Sequence, residues 1–394
     1  MRVHDFGPGA TAADIRALTP PPPGVEDDVR AILAAVRAGG DDVLAELTEK
    51  LDGVAIPAGR LRVAAAELDS AARALDAEVL EGLRTAIANV AAVATAQLRG
   101  GTEVRLDQGQ EVEIVELAVR RAGIYAPAGR AAYPSSVVMA AATARAAGVA
   151  EVVVCAGPGL DGEVHPAILA ACRLCEVEEV YRVGGAQAVA ALAYGTETIA
   201  PVDVIAGPGG PWVQEAKRQV VGAVGIDGVA GPSEVVVVSD GEGDPELLAL
   251  DLLAQAEHGP DSLVLAISQD ARLLESIGAA AIRLAADRPS VLDAPLALAR
   301  TETVEDAVRL ADEIAPEHLQ LVGPSAEAAS PTSAPQAVRP RVPATAASTR
   351  ALDHERAILF LGLTTTPHLG ARRDIPPRSG AWPRTGPGVG PRVV

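Results

Sequence analysis

Two of the chain's six histidines have neighbours that could give them chemical work. In Gln255-Ala256-Glu257-His258-Gly259-Pro260, Gln255 and His258 are three apart and would share a helix face. Gly259 and Pro260 then end the helix and leave the imidazole at the rim of the sheet it packs on. Imidazole is a common zinc ligand and a Gln oxygen an unusual but serviceable one; the competing reading is a histidine that caps a helix C-terminus. In Ala315-Pro316-Glu317-His318, Pro316 suits a first helical turn. Adjacent Glu317 and His318 could serve as two proton acceptors whose pKa values separate with environment, or Glu317 could simply favour a helix start. Ser233, in Gly231-Pro232-Ser233-Glu234, either offers its hydroxyl to a substrate or only shapes a turn.

Two glycine-rich segments could admit a ligand to the backbone. Gly207-Pro208-Gly209-Gly210 follows a strand expected over 202–206, where glycine permits close approach at a strand's carboxyl end; a tight turn is the alternative. Gly157-Pro158-Gly159-Leu160-Asp161-Gly162 formally matches the dinucleotide fingerprint. Its next helix is expected only near Pro166, and the fingerprint requires a helix that opens directly from the loop, so a surface turn is preferred here. Cys172 and Cys175 form C-x-x-C within an apolar run of helical spacing. No second thiol pair exists, which favours two core residues over a redox or zinc pair.

The elements that must position these residues follow from periodicity. Apolar residues at three-and-four spacing predict helices over 27–39, 41–51 and 65–98. Short strands are expected around 103 and 111–119. From Arg121 the pattern alternates: strand 123–126, helix 134–148, strand 151–155, helix 166–175, strand 179–183, helix 187–194, strand 202–206. That alternation implies a parallel sheet with helices on both faces. EVVVVSDGEGDPELLALDLL, from Glu234, repeats the logic of EVVVCAGPGLDGEVHPAILAAC, from Glu151, and suggests a second, related sheet continuing through 262–267, helices near 273 and 304, and 319–322.

The net charge of −19 makes nucleic acid and anionic membranes poor partners. No run of eighteen uninterrupted apolar residues and no leader-like start are present, and three cysteines do not make a disulfide framework, so a cytoplasmic location is expected. After about Pro324 the texture changes. Residues 325–394 hold ten of the thirty prolines and nine arginines against four acids, a composition that predicts an irregular or disordered tail apart from a possible strand over 357–363.

Six runs are similar in order and spacing to histidinol dehydrogenases: AGIYAPAGRAAYPSSVVMAAATARAAGV (122–149), VYRVGGAQAVAALAYGTETI (180–199), VDVIAGPGGPWVQEAKR (202–218), GIDGVAGPSEVVVV (225–238), DLLAQAEHGPDS (251–262) and IAPEHLQL (314–321). The likeness extends over about 25–324. It implies an α/β fold of two incomplete Rossmann-like domains with a helical N-terminal region: an arm over 1–24, a first domain of 25–120 plus 234–324, a second, NAD-side domain over 121–233, and an atypical tail over 325–394. It further implies NAD-dependent, zinc-assisted oxidation of L-histidinol to L-histidine through the aldehyde by a homodimer. By match of motif, Tyr125 and Gln187 would contact NAD. Ser233, Gln255, His258 and His318 would face substrate, with Gln255 and His258 as zinc ligands. His318 would take the alcohol proton and Glu317 would activate water. The family carries Asn where this chain has Gly210. Its carboxyl-terminal Asp and His zinc ligands have no counterpart in the tail, whose composition fits a changed reading frame. Two other functions therefore stand beside the leading one: an impaired remnant, and a relative that oxidises another polar alcohol.

Overall fold

A computed structural model describes residues 1–19, 24–98, 100–128 and 132–329, so the tail expectations beyond 329 lie outside the described residues. The described residues divide into two compact units, one over 24–230, the other made of 1–19 and 231–329. Each is an α/β layer structure built on an all-parallel sheet.

In the unit spanning 24–230 the strands lie in the order Glu179–Arg182, Glu151–Ala156, Arg121–Ala126, Val204–Ala206, Gly225–Ile226. Counted along the chain from Arg121–Ala126, this is the order 3-2-1-4-5 of a doubly wound sheet. Alternation along Glu151–Ala156 shows why both faces are covered. Val153 and Cys155 enter a core with Val36, Leu44, Val189 and Leu192. Val152 and Val154 enter another with Leu68, Leu83, Val138 and Ile168. The second unit repeats the plan with Arg2–Phe6, Pro295–Arg300, Leu263–Ser268, Glu234–Ser239 and His318–Val322 side by side. Counted from Glu234–Ser239 the order is 3-2-1-4, with the N-terminal strand added at the far edge.

The domain division differs from the sequence expectation, which joined 25–120 to 234–324. Helix Glu26–Asp52 packs against helix Gly185–Tyr194. Helix Ala77–Gln97 packs against helix Pro134–Ala146. The N-terminal helices thus bury their apolar stripes in the cores of the 24–230 sheet. A non-helical Gly40 (φ 58°, ψ −140°) breaks the first helix where two were expected. The single long helix expected over 65–98 is two, Ala65–Ala74 and Ala77–Gln97, interrupted by extended Leu75 and Asp76.

Ala77–Gln97 is also the one described helix whose length and hydropathy suffice to cross a bilayer. Its Leu83 and Ala94 are buried, and it carries Glu78, Glu81 and Arg84. Cys155, Cys172 and Cys175 are all buried free thiols, as the core reading expected. Burial pushes Cys155 up to about 12 and Cys175 up to about 11, which leaves both protonated and unreactive at neutral pH.

Candidate active site

The carboxyl edge of the 24–230 sheet gathers Tyr125, Gln187 and the Gly207–Gly210 loop. The strand order reverses direction between Arg121–Ala126 and Val204–Ala206, and Tyr125 and Gly207 stand at the ends of those strands. Such a switch point is where doubly wound sheets open a ligand crevice. Gly207 adopts φ +126°, and a Cβ there would run into the Tyr125 carbonyl, so only glycine fits.

Three side chains that sequence reasoning missed hold this loop. The Gly207 N–H donates to Asp227 Oδ2 at 2.8 Å, and Lys217 Nζ donates to the Gly207 carbonyl at 3.1 Å. Lys217, buried, also pairs with Asp227. Gln214 Nε2 donates to the Gly209 carbonyl at 3.2 Å, and its Oε1 accepts from the Ala230 N–H at 2.9 Å. In sequence, Lys217 looks like an ordinary surface lysine of an amphipathic helix, because one chain cannot reveal that its ammonium points inward. Gly210 caps helix Pro211–Val220, and a side chain at 210 would meet open space.

Gln187 lies in the first turn of helix Gly185–Tyr194. Its Nε2 donates to Asp52 Oδ2 at 3.3 Å, while its buried Oε1 has no donor among the described residues. The Tyr125 hydroxyl accepts from the Gly185 N–H at 3.2 Å, and burial raises the phenol above its ordinary pKa. An orphaned acceptor, a Gly cradle and two helix N-termini at one sheet edge suit a dinucleotide. The Gly157–Gly162 segment is different. Gly159 N–H bonds to the Glu163 carbonyl at 2.8 Å and Gly162 N–H to the Gly159 carbonyl at 2.9 Å, so it closes on itself before helix Pro166–Leu174 begins.

In the other unit, Ser233, Glu317 and His318 meet at the amino edge of the sheet. Ser233 precedes strand Glu234–Ser239, and its carbonyl accepts from the Leu263 N–H at 3.0 Å. His318 opens strand His318–Val322, in register with Val235. The Glu317 carboxylate accepts from the Glu234 N–H at 3.3 Å and lies 3.7 Å from His318 Nε2.

Pro316 does not begin a helix as expected. Helix Val304–Ile314 ends at Ala315 in the left-handed region (φ 49°), and the chain turns directly into the strand. A single left-handed residue is a common way to end a helix, and here it re-aims the chain from helix into strand. Arg16 braces this corner, donating from Nη1 to Glu234 Oε1 at 2.7 Å and from Nη2 to the Ile314 carbonyl.

Gln255 and His258 do not share a helix face. Helix Pro245–Ala256 ends between them, and the His258 N–H closes a turn on the Gln255 carbonyl at 3.2 Å. Gly259 at φ +138° and Pro260 complete the stop. Desolvation by the surrounding chain, with neighbouring His318 acting the same way, lowers the His258 pKa against the raising influence of Glu317, Glu257 and Asp261, although the residue is exposed. The imidazole thus favours the neutral form that can bind a metal or accept a proton.

Gln255 Nε2 is buried without a partner among the described residues. An amide turned over would place its oxygen there, an open acceptor for a cation. Yet no group of three His, Cys, Asp or Glu side chains able to hold a metal exists among the described residues. The donors present make part of a zinc site, not a whole one.

Residues 22–334 match the family described as histidinol dehydrogenase. The histidinol dehydrogenase of Gluconobacter oxydans is 44% identical over 304 residues, 76% of this chain and 70% of that protein. That of Agrobacterium fabrum is 45% identical over 303 residues, 75% of this chain and 70% of that protein. The crystal structure of histidinol dehydrogenase from Elizabethkingia anophelis superposes with a TM-score of 0.74 at 28% identity, covering 83% of this chain and 77% of that one.

Proposed function

The chain belongs to the histidinol dehydrogenase family, and on that premise we propose that it oxidises L-histidinol to L-histidine through the aldehyde, with NAD as acceptor. The observation that carries this reading is the grouping of Glu317 and His318 beside the Ser233–Glu234 turn at the amino edge of the sheet, inside the matched region.

NAD, when bound, supplies the hydride acceptor for both oxidations. Tyr125, Gln187 and the Gly207 loop would hold it. In the first oxidation the His318 imidazole takes the hydroxyl proton, so that the carbinol carbon can release its hydride. In the second, the Glu317 carboxylate takes a proton from the water that adds to the aldehyde carbon, and the resulting gem-diolate releases a second hydride to become the acid. Ser233 and His258 orient the substrate's polar groups. Each of these roles is acid–base or positional, and each needs only the geometry at the amino edge of the sheet.

Zinc is the family's implied metal, and Gln255 and His258 would be its ligands among the described residues. Two ligands fall short of the three or four that protein zinc sites use, so proton transfer rests on Glu317 and His318. The resemblance also supports a homodimer in the cytoplasm. The test is an assay of the purified chain with histidinol, NAD and zinc. Two NADH per histidine formed is the expected result; NADH formed from another polar alcohol but not from histidinol would overturn the substrate.

A further inference from the structure

Asp52 is the last residue of helix Glu26–Asp52, where the chain turns away through left-handed Gly53 (φ 74°). A carboxylate is poorly placed there, because a helix C-terminus carries partial negative charge. It is also half-buried, and burial raises its pKa above the ordinary carboxylate value despite the hydrogen bond from Gln187. Nothing in the packing requires an acid at this point, since a 3.3 Å bond from an amide is equally satisfied by a neutral acceptor.

What the position does provide is a place at the sheet's carboxyl edge. A Cβ at Gly184 would lie 3.3 Å from Asp52 Oδ1 and 3.1 Å from the Gly157 Cα. Gly157 and Gly184 follow the second and third strands counted outward from the switch point. Doubly wound sheets that bind dinucleotides keep an acid near the end of the second strand, where it accepts from the ribose hydroxyls. In this chain that strand ends in Ala156-Gly157 and offers no acid, and helix Glu26–Asp52 delivers one from outside the sheet. Asp52 and the donor-less Gln187 Oε1 make two acceptors on one cluster, which suits hydroxyl donors and repels a phosphate.

We propose that Asp52 selects the dinucleotide, accepting hydrogen bonds from the adenosine ribose hydroxyls and excluding a cofactor phosphorylated on that ribose. This rests on the reading that NAD lies at this edge. The step is non-covalent, and Asp52 acts on the cofactor's affinity and identity, not on the hydride or the protons.

The experiment titrates the full chain with NADH and with NADPH by cofactor fluorescence, which needs no turnover. The wild type should bind NADPH about a hundredfold more weakly than NADH. Asp52→Asn, which keeps the acceptor for Gln187, should weaken NADH about tenfold, the loss for one charged hydrogen bond, and bring the two affinities within about tenfold of each other. Gln187→Ala is the companion variant. If Gln187→Ala weakens NADH while Asp52→Asn keeps the wild-type ratio and melts like the wild type, Asp52 has no selective role and the cofactor reading survives. If neither variant alters NADH affinity, the cofactor site itself is misplaced and the inference falls with it.

Discussion

At Gly210 a side chain would enter open space at the start of a helix, beside the loop that stands at the switch point. The resemblance puts Asn there, and Asn is also a good N-cap. Gly210→Asn should therefore fold without strain, lower the KM for NAD several-fold, and raise the melting temperature slightly. An unchanged KM would show that the loop backbone alone holds the nucleotide. The catalytic pair makes a different prediction. Glu317→Gln should spare alcohol oxidation and damage aldehyde oxidation by about a hundredfold, whereas His318→Asn should damage both, magnitudes typical of positioned acids and bases; assaying the two half-reactions separately checks this. Glu317, His318 and His258 stood out in sequence by residue type and neighbours, whereas Ser233 on its own read as a turn and joined the candidates only through the resemblance. Asp52, Gln214, Lys217 and Asp227 were not, because their significance is a matter of direction and burial that neither spacing nor composition encodes.

Buried charge also organises the elements. Arg121 opens the central strand of the 24–230 sheet and is buried, with its guanidinium on Glu179 at 2.8 Å and Glu151 at 3.0 Å. Burial would raise the Glu179 pKa, but hydrogen bonds from Arg121 and the Tyr181 hydroxyl overcome this and the net shift is downward. A carboxylate with a lowered folded pKa binds fewer protons folded than unfolded. Its stabilisation is present above its ordinary 4.5 and disappears as pH falls through the lower folded value. Glu179→Gln should cost about 3 kcal/mol at pH 7, the low end for breaking a buried pair because Glu151 remains. The gap to wild type should shrink in acid, and urea melts across that range would show it.

The strand–helix alternation after Arg121 could be read from period and punctuation because each strand there is buried on both faces and flanked by turn residues. Arg2–Phe6 and Pro295–Arg300 escaped that reading. The first sits at a sheet edge, where polar residues are tolerated and the apolar signal is diluted. The second is the short run PLALAR, whose length and composition suit helix and strand equally.

Across the whole molecule the proposed roles separate by unit. Tyr125, Gln187 and Asp52 belong to 24–230, and Ser233, Gln255, His258, Glu317 and His318 to the other. A chelator should therefore leave NADH affinity unchanged, and zinc should bind only weakly to the two ligands Gln255 and His258, as metal titration would show. Loss of NADH binding along with the metal would contradict this separation. The same division has a consequence for how the chain is made. Strand Arg2–Phe6 pairs in parallel with Pro295–Arg300, so it must wait for its partner while everything between them, the whole 24–230 unit included, is made. At 5–20 residues per second that interval is about 15–60 s, long enough for the intervening 24–230 unit to collapse and fold. Through that time Arg2–Phe6 waits as a tethered, unpaired strand, and its docking completes the sheet only once Pro295–Arg300 has been made.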